Sequence, residues 1–187
     1  SENETATTPT AIAALNLTIW HGAMSIVSCA GCIQAYLQCK LDGNTWVILP
    51  FELWLPEWKK QYHPNTKLAV KLIKSQSGHP QSGNLWQNFL ETQLQEMGGA
   101  PLDSYPSNFI FRYGDNSEHT LIRNIYLDDL TLALAGGNKD VQTKFWKELK
   151  LRVKTYPEQY IEENGVKILG RVHSIQRNPK QTSCNDI

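Results

Sequence analysis

Two parts of the chain alternate apolar and polar residues in a way that predicts β-hairpins. In residues 33–41 every second residue is apolar, which is the period of a strand, and residues 45–49 are rich in strand-forming types. Between them, Asp42-Gly43-Asn44 is typical of a tight turn, because glycine reaches a positive φ without steric cost. A second hairpin is predicted where residues 109–113 alternate toward Gly114-Asp115-Asn116 and residues 119–125 return.

The sequence predicts two further strands and one further chain reversal. Residues 67–74 alternate at Leu68, Val70 and Leu72, which predicts a strand. Around Asn164-Gly165 the chain is expected to reverse, and residues 166–175 follow as a closing strand.

Helical spacing is clearest in residues 84–97, where apolar residues recur every three or four positions. Asn84 is a suitable N-cap for this helix, and Gly98-Gly99 would end it. Pro56 suits a first helical turn, and Asn138 is expected to cap a helix. Residues 127–135 form an apolar run that we also interpret as a helix.

These elements predict an α+β fold, with a mainly antiparallel sheet built from hairpins and two to four packed helices. The 187 residues, 41% of them hydrophobic, suffice for one core. We expect a disordered tail over residues 1–10, a single domain over 11–175 and a flexible tail over 176–187.

The net charge is zero, with 18 basic and 18 acidic residues, but the charges are unevenly distributed. Acidic residues dominate from Glu91 to Asp129, and basic residues dominate from Lys139 onward. If residues 149–154 form a strand, they present a basic ladder suited to phosphates or an acidic partner. The predicted contact residues are Lys144, Lys147, Lys150, Arg152, Lys154 and Arg171. The alternative is a solvated surface with uneven charge.

The beginning of the chain, Ser-Glu-Asn-Glu, is acidic and unlike a signal peptide. Residues 5–39 contain no Asp, Glu, Lys or Arg, but polar residues interrupt them, so we expect a buried segment rather than a membrane span. Four cysteines in a chain of this length do not make a secreted disulfide framework. A cytoplasmic location without membrane contact is therefore predicted.

A zinc site is the sharpest chemical alternative. His21, Cys29, Cys32 and Cys39 offer four nitrogen or sulfur ligands, and Cys-x-x-Cys is the usual zinc clamp. The competing interpretation makes the cysteines small buried hydrophobic residues in a turn and a strand, and a second Cys-x-x-Cys pair is missing. A redox motif is disfavoured because a helix should follow it.

Other chemistries lack their patterns. The chain contains no Gly-x-Ser-x-Gly and no phosphate-binding loop. Asp128-Asp129 could bind a metal, but we interpret the pair as acids at the start of the helix predicted for residues 127–135. Phe109, Phe111 and Tyr113 on one predicted strand, followed by Arg123 on the next, form either an RNA-stacking platform or, as we favour, part of the core. We expect no catalytic residue and no cofactor.

The C-terminal part resembles a known family. Leu151-Arg-Val-Lys-Thr-Tyr, then Glu-Glu-Asn-Gly-Val, then residues 168–175, are similar to the closing strand–turn–strand of small accessory subunits of type III CRISPR effector complexes. The hairpin over residues 36–46 is similar in kind. The resemblance implies a non-catalytic subunit in antiviral defence that packs on RNA-guided backbone proteins.

The primary hypothesis is thus a non-catalytic interaction subunit of a larger, RNA-guided ribonucleoprotein complex, with protein subunits as partners and contact with the RNA backbone. The alternatives are a small zinc-binding protein or enzyme, and an antitoxin or immunity-type inhibitor whose acidic residues 91–129 block a basic enzyme.

Overall fold

A computed structural model describes residues 25–103, 107–113, 119–126, 128–134, 138–168 and 171–174. Its helices are α1 (Pro56–Gln61), α2 (Ser82–Glu96) and α3 (Lys139–Lys150), and short 3-10 helices cover Ala35–Gln38 and Phe51–Leu53. The strands are β1 (Ile26–Gly31), β2 (Trp46–Ile48), β3 (Ala69–Lys71), β4 (Ala100–Pro101), β5 (Asn108–Tyr113), β6 (His119–Tyr126), β7 (Asp129–Leu134), β8 (Gln159–Tyr160), β9 (Val166–Ile168) and β10 (Arg171–His173).

The main sheet has six strands in the order β4-β5-β6-β7-β1-β8, and every neighbouring pair is antiparallel. β7 lies at its centre, pairing with β6 on one edge and with β1 on the other. Two separate two-stranded sheets, β2–β3 and β9–β10, complete the strands of the described chain. The predicted α+β class with antiparallel hairpins is confirmed.

Both faces of the main sheet are covered. On one face, leucines 130, 132 and 134 of β7 pack in a single core with α2 and α3, which contribute Trp86, Leu90, Leu94, Phe145, Trp146 and Leu149. On the other face, Ala133 and Val27 pack with Ile161 and Ile168. Alternate residues of one strand point to opposite faces, and because both faces are covered, β7 is buried from Leu130 to Leu134.

A buried polar network ties α3 to β1 inside the larger core. The Ser28 Oγ donates to Gln142 Oε1 at 2.8 Å, and it accepts from the indole Nε1 of Trp146 at 2.8 Å. The Gln142 Nε2 in turn donates to the Ile26 carbonyl at 2.7 Å. These side chains therefore satisfy one another where water is excluded.

The helix predicted over residues 127–135 is wrong, because residues 129–134 form β7. Periodicity does not separate a short strand that is buried on both faces from a buried helix, since both are continuously apolar. Pairing with β6 and β1 supplies the backbone hydrogen bonds that decide between them.

The first predicted hairpin is also wrong. Residues 35–38 form a 3-10 helix, and β2 pairs with β3, aligning Trp46 with Lys71. The side chain of Gln38 holds the helical turn, since its Nε2 donates to the carbonyls of Ile33 at 2.8 Å and Lys154 at 3.0 Å. Of the apolar positions in this alternation, Ala35, Cys39 and Leu41 are buried, but Leu37 is 41% exposed, so the burial does not follow a strand period.

Of the other local predictions, some are confirmed and one is wrong. Pro56 opens α1, β3 lies within the predicted strand, β5 pairs with β6, and the Asn138 side chain caps α3 by accepting from the Asp140 N–H at 3.1 Å. However, α2 begins at Ser82, so Asn84 is not its N-cap. Gly98 follows this helix with φ +87°, a conformation that favours glycine.

At the C-terminal end, the predicted reversal is present, because the Gly165 N–H donates to the Glu162 carbonyl at 3.1 Å. The single strand predicted over residues 166–175 is wrong, since β9 and β10 pair with each other there. The strand considered for residues 149–154 is absent too. α3 continues through Lys150, and the Val153 N–H donates back to the Leu149 carbonyl at 2.8 Å.

Among the described helices, none is long and apolar enough to cross a bilayer. The tails predicted for residues 1–10 and 176–187 lie outside the described residues, as do His21, most of the uncharged stretch 5–39 and the predicted turn at residues 114–116.

Candidate interaction surface

The cysteines predicted as metal ligands do not converge. Cys29 lies in β1 and packs beside Val27, whereas Cys32 and Cys39 are buried in the core on the other face. Residues three apart on an extended chain point to opposite faces, so the sheet separates the two halves of the predicted clamp. The turn predicted at residues 29–32 is therefore wrong. No three His, Cys, Asp or Glu side chains of the described chain form a group that would hold a metal ion.

The thiols are also held in the form that metals and redox reactions disfavour. Burial and, to a smaller extent, the charge of Asp129 raise the pKa of the Cys29 thiol to about 11. Burial likewise raises the pKa of Cys39 to about 11, although the positive charge of Lys74 opposes this. Zinc binding and disulfide exchange both need a thiolate. The described cysteines thus behave as small apolar side chains.

The predicted basic surface is only partly available. Lys144 and Lys147 are exposed on α3, and Lys154 is exposed in the turn after it. Lys150 forms an ion pair with Glu158, and Arg152 pairs with Glu96 at 2.6 Å. The basic ladder is therefore not a row of free cations. The side chain of Arg171, in β10, lies outside the described part.

Ion pairing and burial also affect the predicted acidic surface. Arg152 already neutralises Glu96, and Asp129 is half-buried at the start of β7. Burial raises the pKa of the Asp129 carboxyl, and the charge of Asp128 raises it further. Since β7 is a strand, the prediction that these acids cap a helix is wrong.

The aromatic residues of β5 belong to the core. Phe109 and Phe111 are fully buried, and the ring of Phe111 lies edge-on to that of Phe145, with centroids 4.9 Å apart. Neither face of such a ring is open for a base. The core interpretation of these residues is confirmed, and the stacking platform is excluded for the two phenylalanines.

A different part of the molecule displays apolar side chains to solvent. Trp46 is 59% exposed and Ile48 is 62% exposed, and both lie on the same face of β2. Ile73, just after β3, is 72% exposed and falls on the same alternating phase as Ala69 and Lys71, which are aligned with Ile48 and Trp46. We call this the β2–β3 face and define it by Trp46, Ile48, Ala69, Lys71 and Ile73.

The neighbouring segment 51–62 extends the apolar display. Leu53, Leu55 and Tyr62 are exposed. Trp54 anchors the segment, because its indole is buried and donates to the Leu49 carbonyl at 2.9 Å. The ring of Phe51 lies edge-on to Trp54 at 5.2 Å between centroids. This display is therefore supported by fixed side chains beneath it.

The chain segment that contains the β2–β3 face carries an excess of positive charge. Residues 40–74 contain six lysines and three acidic residues, and all nine are exposed. Lys71 lies on the face itself, and its Nζ donates to Asn44 Oδ1 at 3.0 Å. The lysines of this segment are Lys40, Lys59, Lys60, Lys67, Lys71 and Lys74.

The β2–β3 face was not predicted from the sequence. The alternation in β2 was visible, but alternation alone does not say which phase faces solvent. One usable signal was the concentration of lysines around apolar residues between 40 and 74. In the described chain, six of the ten exposed large apolar side chains fall between 46 and 73.

Comparison of the chain with protein-family models gives no match, and comparison with curated protein sequences gives none either.

Proposed function

We propose that this protein is a non-catalytic interaction subunit that binds a partner protein through the β2–β3 face. The main support for the proposal is the exposure of Trp46 and Ile48 on one face of β2, together with the exposed Ile73 just after the paired strand β3. Contiguous exposed apolar surface is unfavourable in water and usually marks a binding site. Tryptophan in particular contributes more binding energy at interfaces than most residues.

The partner surface should have an apolar centre and an acidic rim. The exposed lysines of residues 40–74 outnumber the acidic residues by six to three, so an acidic rim would complement them. Such charges accelerate association and select against basic partners, while the apolar centre supplies most of the affinity.

The finer form of the proposal is a subunit of an RNA-guided complex related to type III CRISPR effectors. This proposal is supported by the sequence resemblance in residues 151–175 and in the segment 36–46. Two elements expected from the resemblance are not formed: residues 151–154 are not a strand, and residues 36–46 are not a hairpin. Contact with an RNA backbone would use the exposed Lys144, Lys147 and Lys154. The proposal does not depend on that contact.

The test is co-expression of the chain with the products of its neighbouring genes, followed by size-exclusion chromatography with multi-angle light scattering. We expect a stable complex with one acidic-rimmed protein. Trp46→Ser should weaken that complex by at least about 30-fold, as expected for a central aromatic residue. Ile73→Ser should weaken it by a smaller factor.

Matched controls exist outside the β2–β3 face. Tyr156 is 58% exposed and Val172 is 73% exposed, so Tyr156→Ser and Val172→Ser remove comparable apolar surface elsewhere. Both control variants should bind like the wild type. Equal weakening by Trp46→Ser and Tyr156→Ser would overturn the proposal, and so would a chain that stays monomeric beside every neighbour. A self-associated chain whose dimer is lost in Trp46→Ser would also replace the proposed partner with a second copy.

A further inference from the structure

A cleft of about 540 Å³ opens beside the 3-10 helix Ala35–Gln38 and helix α2. This volume falls in the range of small-ligand sites, which are typically a few hundred to a thousand Å³. None of the residues that define the β2–β3 face lines it. Its described lining residues are Gln34, Ala35, Tyr36, Leu37, Gln76, Ser77, Trp86 and Asp128.

The backbone at one side of the cleft has an unusual conformation. Gln34 has φ 47° and ψ 52°, the left-handed region that residues with a Cβ rarely adopt. This conformation starts the 3-10 helix, since the Gln34 carbonyl accepts from the Leu37 N–H at 2.9 Å. Strained residues of this kind concentrate at ligand sites, where the surrounding structure holds them in place.

Another part of the cleft lining comes from the chain just before the main-sheet strand β7. Asp128 precedes β7, and its carbonyl accepts from the Cys32 N–H at 2.7 Å. This bond ties the aspartate to the chain segment that leads into the 3-10 helix. The carboxylate is exposed, and it is the only charged side chain among the described lining residues.

The chemistry of the lining selects one ligand class. A carboxylate attracts a cation, and the half-buried ring of Tyr36 adds an aromatic surface that cations tolerate well, with the buried Trp86 behind it in the core. The side chains of Gln34 and Gln76 offer amide oxygens that accept hydrogen bonds. The Asp128 carboxylate repels phosphates and carboxylates, and no lysine or arginine among these described residues offsets it.

We propose that this cleft binds an organic cation, with the guanidinium group of arginine as the best match. A guanidinium group donates five hydrogen bonds in a plane, so it can bind a carboxylate and amide oxygens together while stacking on an aromatic ring. The cation can come from an arginine side chain of a polypeptide or from a free amine such as agmatine.

The test is saturation-transfer difference NMR on the full chain. The probes are N-acetyl-arginine amide, agmatine, N-acetyl-lysine amide and the neutral isostere N-acetyl-citrulline amide. We expect both guanidinium compounds to bind with millimolar dissociation constants, lysine amide to bind more weakly, and citrulline amide to give no signal. Stronger binding of the arginine amide than of agmatine would identify a polypeptide as the source, and the reverse would identify a free amine.

Asp128→Asn removes the charge and keeps the size, and it should weaken arginine amide at least tenfold. Asp42→Asn is the matched control, since Asp42 is exposed and lies outside the cleft lining. Trp46→Ser should leave the binding of arginine amide unchanged. A failure of the cleft to bind guanidinium compounds can therefore be distinguished from a failure of the β2–β3 face to bind a partner protein. Citrulline amide binding as well as arginine amide would overturn the proposal. Equal affinities of Asp128→Asn and wild type would also overturn it, and so would no binding of either guanidinium compound up to about 20 mM.

Discussion

Strands β7 and β2 are both apolar and both pair antiparallel, yet they have opposite relations to water. In β7, Leu130, Leu132 and Leu134 are completely buried, and Ala133 on the other face is buried as well. In β2, Trp46 and Ile48 are more than half exposed. The difference lies in their neighbours, since β7 has a strand on each edge and covering layers on both faces, whereas β2 has β3 as its one strand partner among the described residues.

This contrast separates two uses of apolar side chains. Burial in the main sheet removes apolar area from water during folding, and it stabilises the fold at about 25 cal/mol per Å². In the isolated chain, the apolar side chains of the β2–β3 face stay in contact with water and do not contribute this stabilisation. Under the proposed function, covering this face with a partner would recover part of that free energy, since association has its own entropic cost. Changes in β7 should therefore alter stability, and changes in β2 should alter binding.

The largest effect is expected from a cavity in β7. Leu132→Ala removes a completely buried side chain from the core and should lower the free energy of unfolding by about 3 kcal/mol. Ile48→Ala on the β2–β3 face should change it by less than about 0.5 kcal/mol. Urea unfolding followed by circular dichroism measures both. Similar losses for the two variants would show that β2 is part of the cooperative core.

A smaller effect is expected where α2 leads into the main sheet. A Cβ on Gly99 would lie 2.6 Å from Phe111 Cζ and 2.8 Å from the Leu94 carbonyl oxygen. Gly99→Ala should lower the free energy of unfolding by about 1–3 kcal/mol, because the packed ring and backbone must move.

Gly43, which lies before β2, is the control position for Gly99. A Cβ there meets nothing within 4 Å among the described residues, but its φ of +116° disfavours alanine. Gly43→Ala should therefore lose only about 1 kcal/mol or less from backbone strain. Thermal unfolding ranks the two variants, and a larger loss in Gly43→Ala would contradict the contrast between the regions.

The buried polar network is expected to contribute about 1–2 kcal/mol. Ser28→Ala deletes the hydroxyl that donates to Gln142 and accepts from Trp146, leaving two buried polar groups without that partner. Thr45→Ala, near β2, removes a hydroxyl that is 3.2 Å from His79 Nε2 in a half-buried setting, and it should cost less. Chemical denaturation measures the free energy of unfolding of both variants. Equal decreases would mean that the buried network stabilises the fold no more than the half-buried contact of Thr45 does.

The smallest effect concerns pH. Burial and the charge of Asp128 raise the pKa of Asp129 above its ordinary value of 3.8, so the folded chain binds that proton more tightly than the unfolded chain. Stability is therefore lost as the pH rises through 3.8 toward the raised value, and the cost is full at neutral pH.

Asp129→Asn removes this cost. It should raise the free energy of unfolding at pH 7 by less than about 1 kcal/mol, because the site is partly solvated, and it should give no gain near pH 3. Unfolding curves at the two pH values test the sign. The exposed Asp42→Asn is the control, and a gain for Asp129→Asn at pH 3 but not at pH 7 would refute the linkage.

Local sequence signals succeeded where the information was local. Pro56 at a helix start, the Asn138 cap and the glycine after α2 are each decided by a few neighbouring atoms. The prediction for residues 127–135 failed because a continuous apolar run is compatible with a helix or a doubly buried strand. The hairpin over 33–49 failed because Gln38 bonds to Lys154, a contact distant in sequence.

The candidate site shows the same division. Neither the β2–β3 face nor the cleft beside Gln34 was predicted, since both depend on which segments meet. The predicted zinc ligands Cys29 and Cys32 are close in sequence, but strand geometry places them on opposite faces of the sheet. Sequence proximity suggested a clamp that the fold does not form.

The α+β class, the helix starts at Pro56 and Asn138, and the pairing of β5 with β6 can all be predicted from the amino-acid sequence. The pairing of β2 with β3, the central position of β7, and the exposure of Trp46 and Ile48 follow from the three-dimensional packing of distant segments. The physical reason is that turns and caps depend on neighbouring dihedral angles and hydrogen bonds. Exposure depends instead on whether a distant segment covers the side chain, and an alternating pattern is the same whichever face is covered.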